Sequence, residues 1–316
     1  MSSPGSVLRG VVYSADGSSE IWQRALSRYA AGLRWEIWPA LDRPEEVVAA
    51  ALWLPPPGML STLPALRAVF SLGAGVDHLL ALPDLPAALP VVRLADAGMA
   101  EQMIEYVLYG VLRFHRDFDR YQADQDLGRW APSAVKRRHE TRVGVLGLGA
   151  LGSAVATALH RFGLPVAGWS RTQRTLADIE TFSGPPGLVA LARRSQVLVA
   201  LLPLTPETRG VLSRPLFEQM PEGAALINCG RGELLVEADL LAALESGHLR
   251  GAMLDVLQQE PPPPAHPFWR HRAVCLTPHV AASTRVEEAC EQIAQNLTRL
   301  IANEPLVGLV DRARGY

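Results

Sequence analysis

Lysine is nearly absent from this chain: Lys136 is the single one among 30 lysines and arginines. No G-x-x-x-x-G-K-[ST] phosphate loop can therefore be written, and Schiff-base chemistry would rest on Lys136, which sits in a charged run. Cysteine is scarce as well. Cys229, Cys275 and Cys290 are too few and too scattered for a disulfide framework or a zinc site. The first residues, MSSPGS, carry neither the basic stretch nor the long apolar region of a secretory leader. No apolar run approaches the roughly 20 residues that cross a bilayer. A formal net charge of −2 gives no electrostatic case for nucleic acid or an anionic membrane. These absences point to a cytoplasmic protein with no nucleic-acid or membrane partner.

What is present is a core-forming composition. Of 316 residues, 48% are hydrophobic and 20% charged, enough for two ordinary domains or one large one. Residues 7–98 alternate short apolar runs with helical patterns. Strands are expected at 7–13, 51–54, 68–72 and 91–94, and a helix capped by Ser18 or Ser19 should end near Gly32. A helical pattern then runs from 99 to about 121, with Met103, Val107, Leu108, Val111, Leu112 and Phe114 as its apolar stripe. Residues 122–141 are polar and basic, including Arg129, Lys136, Arg137 and Arg138, and read as an anion-binding patch or as a solvated arm or subunit-contact segment. From 142 a second alternating series places strands near 142–147, 165–170, 196–201, 224–228, 251–254 and 274–276. Residues 283–303 form one long amphipathic helix that should return to the first domain.

Strands alternating with helices imply parallel sheets. The expected fold is α/β: two doubly wound parallel-sheet domains, with a Rossmann-type dinucleotide-binding domain (99–284) inserted in a smaller flavodoxin-like substrate domain (1–98, completed by 285–316).

The nucleotide expectation rests on VLGLGALG at 145–152. Gly147 permits a tight turn, Gly149 lets backbone approach a pyrophosphate, and Gly152 lets helix and strand pack closely. Leu148, Gly149, Ala150 and Leu151 then open a helix whose free N–H groups face the phosphates. The context of a preceding strand and a following alanine-rich helix raises a weak motif to a specific one. A site for NAD places an acid about twenty residues on. This chain reads VAGWSRT at 166–172, without one. Ser170, Arg171 and Thr172 can donate, and Arg171 can pair with a 2′-phosphate, unless it is an ordinary surface arginine. NADP is favoured over NAD, which should bind more weakly.

Three further segments, NCGRG at 228–232, LDVLQQEP at 254–261 and TPHVAA at 277–282, each follow a strand-like run and supply Arg231, Glu260 and His279. A cation to grip a 2-oxo acid, a carboxylate and an acid–base imidazole are what reversible hydride transfer to a carbonyl requires of a protein. Taken singly, each residue is as readily a surface or loop side chain. The remaining histidines show no ligand spacing, and no metal is expected.

Together with SLGAGVD at 71–77, GMAEQM at 98–103, WSR at 169–171, AMLDV at 252–256, TPH at 277–279 and DRARGY at 311–316, these residues resemble the D-isomer-specific 2-hydroxyacid dehydrogenases over essentially the whole chain. Within that family the resemblance is to the bacterial glyoxylate/hydroxypyruvate reductase A group. It implies NADPH-dependent reduction of glyoxylate and hydroxypyruvate, with His279 as acid, Glu260 orienting it, and Arg231 holding the substrate. The backbone of Ala74, Gly75 and Val76 would form a second carboxylate grip, and Trp53 is either a substrate wall or a core aromatic. Leu202, Pro203, Thr208, Cys229, Gly230 and Asp255 would line the cofactor. A cleft between the two domains would close about crossings near 97–99 and 282–285 and bring the 74–76 loop against substrate. A homodimer through the nucleotide-binding domain is expected. Two features depart from the family: the missing acid after the second strand, and Cys229, where Ala or Ser is usual. Its thiol is either reactive or simply small enough to pack. Two other readings stay open, a dehydrogenase for a larger 2-oxo acid and a nucleotide-sensing corepressor of the same fold.

Overall fold

The computed structural model describes residues 8–316, so residue 7, expected to open the first strand, lies outside the described residues together with the MSSPGS stretch considered above. The described chain divides into two compact units, Met1–Met99 with Ser283–Tyr316, and Ala100–Ala282.

The first unit begins with β1 (Leu8–Ser14), α1 (Ser19–Tyr29), β2 (Leu33–Ile37), β3 (Val47–Trp53), β4 (Ala68–Ser71), α2 (Asp77–Leu80) and β5 (Val91–Val92). Its sheet runs β2-β1-β3-β4-β5, parallel throughout, which is the flavodoxin-like order. The inner strands are continuous apolar runs because helices cover both faces: Val47, Ala50 and Leu52 of β3 share a core with Val11, Val69 and Leu79. α1 stops at Tyr29, where the Ala30 N–H bonds Leu26 O, so the helix ends before Gly32, which is not left-handed. β2 carries no apolar run to announce it. It is an edge strand, and its Glu36 is buried against Arg9 of β1 at 2.6 Å.

The second unit is built from α3 (Met99–His115), α4 (Phe118–Asp126), β6 (Val143–Leu146), α5 (Ala150–Arg161), β7 (Val166–Ser170), β8 (Glu180–Ser183), α6 (Gly184–Arg194), β9 (Val197–Ala200), α7 (Arg214–Phe217), β10 (Ala224–Asn228), α8 (Glu237–Glu245), β11 (Leu249–Leu254) and β12 (Val274–Leu276). Its parallel sheet runs β12-β11-β10-β9-β6-β7-β8, the Rossmann order with one strand added. Strand alternation sorts two cores. Ala225 and Ile227 pack with Val107 and Val111 of α3 and Val155 of α5, while Ala224 and Leu226 pack with Leu191 of α6 and Leu240 of α8.

The single helix expected over 99–121 is two. Asp117 breaks it with φ 57°, and its buried carboxylate is held by Lys136 at 2.9 Å and Arg250 at 2.8 Å. An acid drawn inward by two cations stops the helix where the apolar stripe alone would have continued it. The chain leaves the second unit and ends with α9 (Val286–Ala302), which lies against α1.

Candidate active site

The ends of β6, β9, β10 and β11 carry the second unit's chemistry, at the side of the sheet where strand order reverses between β6 and β9. Gly147 turns the chain out of β6 with φ 99°, and its N–H donates to Trp169 O at 2.8 Å. A Cβ on Gly152 would lie 1.7 Å from Gly147 O, so the first turn of α5 presses directly on this loop. Gly149 is exposed with open space where a side chain would stand, and it caps α5 without a side chain. The amides of Ala150 and Leu151 thus begin a twelve-residue helix facing that space, a cradle that fits a pyrophosphate. The Leu148 side chain, between these glycines, is buried.

At the end of β7, Ser170 is buried and its hydroxyl donates to Thr172 O at 2.8 Å. Its proton closes the turn, leaving Arg171 and Thr172 as the exposed groups. The charge of Arg171 is felt by an acid on another loop. The Glu207 carboxyl is held below its ordinary range by a hydrogen bond from Thr205, then by its own amide, and also by the charge of Arg171. Thr208 holds this loop in shape, donating to Pro203 O at 2.7 Å and accepting from Thr205 N–H at 2.8 Å. Leu202 is buried.

Beyond β10, the Asn228 side chain fixes the Arg231 turn from both sides, accepting from Gly230 N–H and donating to Arg231 O, both at 3.1 Å. Cys229 is buried, and burial pushes its thiol well above the ordinary range, so it packs as a small side chain. A Cβ on Gly232 would lie 1.9 Å from Leu257 O. The loops bearing Arg231 and Glu260 are therefore in backbone contact. Glu260 accepts the Leu257 N–H at 2.9 Å on one oxygen and meets His279 Nδ1 at 2.7 Å on the other. That bond holds the imidazole above its ordinary pKa, against burial and the nearby Arg231 charge. Glu260 in turn lies below the carboxylate range, through its hydrogen bonds from His279 and Leu257 and the charges of His279 and Arg231, although burial opposes this. An ionised Glu260 accepts the Nδ1 proton, which leaves Nε2 as the ring atom for substrate.

His279 stands at φ 55° on a turn wrapped around Asp255. The buried Asp255 carboxylate accepts from Thr277 Oγ1 at 2.6 Å and from the N–H groups of Val280 and Ala281 at 2.8 Å. All three of these donors belong to the protein, so Asp255 serves the turn. Among the described residues no group of three or more His, Cys, Asp or Glu could hold a metal ion.

In the first unit, Trp53 ends β3 with its ring 4.6 Å from that of His78. Ala74, Gly75 and Val76 form the loop between β4 and α2. Ser71, fully buried, shapes that loop by accepting the Gly73 N–H at 3.2 Å and donating to Gly75 O at 3.1 Å. The Val76 side chain is buried in the unit's core.

The family described as D-isomer specific 2-hydroxyacid dehydrogenase, NAD binding domain, matches residues 108–281, more than half of the chain. The chain belongs to the D-isomer-specific 2-hydroxyacid dehydrogenases. A solved dehydrogenase of this family from Xanthobacter autotrophicus Py2, in complex with NADPH and MES, is 42% identical, with 98% of this chain and 100% of that one covered and a TM-score of 0.94. An NADPH-dependent glyoxylate/hydroxypyruvate reductase from Sinorhizobium meliloti, in complex with NADP and sulfate, is 36% identical over 98% of this chain and 100% of its own, with a TM-score of 0.91. A probable 2-hydroxyacid dehydrogenase from Rhizobium etli CFN 42, with NADP, HEPES and L(+)-tartaric acid, is 33% identical over 98% and 99%, with a TM-score of 0.89.

For this dehydrogenase, the structure gathers Arg231, Glu260 and His279 within the second unit and sets the glycine turn and the Arg171 loop on the same sheet. Within the second unit, three residues to which sequence reasoning gave no role shape the site, Tyr106, Thr277 and Glu207, and in the first unit Ser71 shapes the 74–76 loop. Thr277 was legible as part of TPH, but its partners are far away in sequence. Among the described residues no helix is long and apolar enough to cross a membrane.

Proposed function

We propose that this dehydrogenase uses NADPH to reduce small 2-oxo acids, with glyoxylate and hydroxypyruvate as substrates. The observation that carries the reading is the 2.7 Å pair of His279 Nδ1 and Glu260, with Arg231 acting on both. The Sinorhizobium meliloti relative, named for those two substrates, supports the choice of small acids.

NADPH, when bound, supplies the hydride that reaches the substrate's carbonyl carbon. The amides at the start of α5 hold its pyrophosphate, and Arg171 with Thr172 meets the 2′-phosphate. Arg231 binds the substrate carboxylate and carbonyl oxygen, and stabilises the negative charge that grows on that oxygen. His279 gives its Nε2 proton to the same oxygen, leaving a hydroxyl, and the neutral imidazole retains its proton on Nδ1, donated in a hydrogen bond to Glu260. The amides of Ala74, Gly75 and Val76 bind the carboxylate, and Trp53 limits substrate size. We further infer a cytoplasmic homodimer joined through the nucleotide-binding unit. Its support is a set of exposed apolar side chains on that unit: Tyr109, Phe118, Leu127, Trp130 and Val135.

The test is NADPH oxidation with a panel of 2-oxo acids of increasing size, repeated with NADH. Turnover should be highest with glyoxylate and hydroxypyruvate and higher with NADPH. A preference for bulky 2-oxo acids would replace the substrate assignment. Tight nucleotide binding without turnover on any acid would make the chain a nucleotide sensor.

A further inference from the structure

We propose that the Tyr106 hydroxyl is a positioning group for His279, acting through Thr277 and Asp255. The inference rests on the reading of His279 as the proton donor. Tyr106 lies on α3, an element that carries none of the proposed catalytic groups.

The direction of the hydrogen bonds follows from counting protons. Thr277 has one hydroxyl proton, and at 2.6 Å from Asp255 Oδ1 it goes to that carboxylate. The contact of 2.5 Å between Tyr106 OH and Thr277 Oγ1 must then run from tyrosine to threonine. Burial pushes the Tyr106 phenol well above its ordinary range, so it remains a donor at every working pH. The result is a directed series, Tyr106 to Thr277 to Asp255, that ends on the residue around which the His279 turn is wound. The His279 N–H itself donates to Asp255 O at 2.9 Å.

This turn needs such support. A histidine at φ 55° occupies a sparsely populated backbone region, and it stays there only when its surroundings over-determine it. The imidazole is 40% exposed, so packing alone does not hold it. A proton donor has to stand within a fraction of an ångström of its place, because displacements of about 1 Å cost on the order of a hundredfold in rate. The charged groups that face His279 are Glu260, Arg231 and Asp255. The titratable groups near the Tyr106 hydroxyl are Asp255 and the thiols of Cys229 and Cys275.

The variants Tyr106→Phe, Thr277→Val, their double and Thr277→Ser test this, with His279→Asn measured beside them. Tyr106→Phe keeps the ring and removes only the donor. It should lower kcat about five- to tenfold, the scale of one hydrogen bond, while the Kd for NADPH stays within about twofold. A loosened turn lets His279 part from Glu260, so the alkaline limb of the kcat–pH profile should move to lower pH. The double variant should be no worse than Thr277→Val alone, because both remove the same link, and Thr277→Ser should retain most activity. Should Tyr106→Phe fail to fold, Thr277→Val carries the same expectation. Wild-type kcat and pH profile in Tyr106→Phe, with His279→Asn inactive, overturn this inference and leave the role of His279 standing. A lower melting temperature with an unmoved pH profile also overturns it, since a purely structural tyrosine behaves that way. Near-normal turnover in His279→Asn removes the reading of His279 and this inference together.

Discussion

In the proposed mechanism His279 has to be protonated when a carbonyl is reduced and neutral when a hydroxy acid is oxidised. Its hydrogen bond to Glu260 raises its pKa above the ordinary imidazole value of about 6.5. Reduction should therefore stay level below the raised pKa and fall as pH climbs through it, with the oxidative rate rising over the same range. Glu260→Gln removes the largest cause, so its alkaline limb should lie at lower pH than that of the wild type in a kcat–pH titration. His279→Asn should lose the ~10²–10⁴ that a general acid contributes, with NADPH binding kept. The sign for stability is the same. A histidine raised on folding contributes stability fully below its unfolded pKa and loses it as pH rises through the folded one. Solvent screening keeps that contribution small, because His279 is 40% exposed. Cofactor choice is also a matter of single residues. Arg171→Ala should raise the KM for NADPH at least about tenfold, the scale of one charge-assisted bond, and leave that for NADH nearly unchanged. Glu207→Gln removes an anion acting on Arg171 and should lower the KM for NADPH modestly. Equal effects on both cofactors in steady-state kinetics would make Arg171 a plain surface residue.

Among the elements, α5 is the one whose seating on the sheet shapes the phosphate cradle. It can start where it does only because position 152 has no side chain, and the obstacle to one is Gly147 O, a backbone atom that cannot rotate away. Gly152→Ala must therefore shift the helix. Overpacking of this kind costs about 1–3 kcal/mol, or about 2–4 °C of melting temperature for each kcal/mol in a domain of this size. The diagnostic result is a fall in NADPH affinity together with the melting temperature, seen by nucleotide fluorescence and thermal scanning. An unchanged Kd would mean that the turn does not hold the pyrophosphate. β2 and β8 show a different elemental constraint. As sheet edges they interleave polar residues, Arg34 and Glu36 in β2 and Glu180, Thr181 and Ser183 in β8, which makes them hard to see from pattern alone.

At the scale of the molecule, the chain builds two parallel sheets of five and seven strands, and α9 returns to α1 within the first unit. Two of the basic side chains of residues 122–141 are engaged within the chain. Lys136 is paired with Asp117, and Arg138 lies over the Phe162 ring at 4.8 Å and donates to its carbonyl oxygen. Beside its exposed charged side chains the segment also presents apolar ones: Trp130 is 97% and Val135 77% exposed. Trp130→Asp should lower the mass of the proposed homodimer toward that of one chain in light scattering at micromolar concentration. A variant with unchanged mass would exclude this segment from the subunit contact.

The sequence by itself determined the α/β class, the parallel sheets, the glycine turn and the family, because each is written in local order: apolar runs, turn residues and motifs a few residues long. It also held Arg231, Glu260 and His279 as candidates, since each follows a strand end. Only the tertiary structure decided what lies between them. The acid acting on Arg171 comes from a loop thirty-six residues later, a distance no spacing rule covers. Asp117 at the helix break pairs with Arg250, and Thr277 beside His279 meets Tyr106, at separations of 133 and 171 residues. Such partners meet only when the sheet assembles. Hydrogen bonds and charges act over a few ångströms of space and leave no periodic trace along the chain.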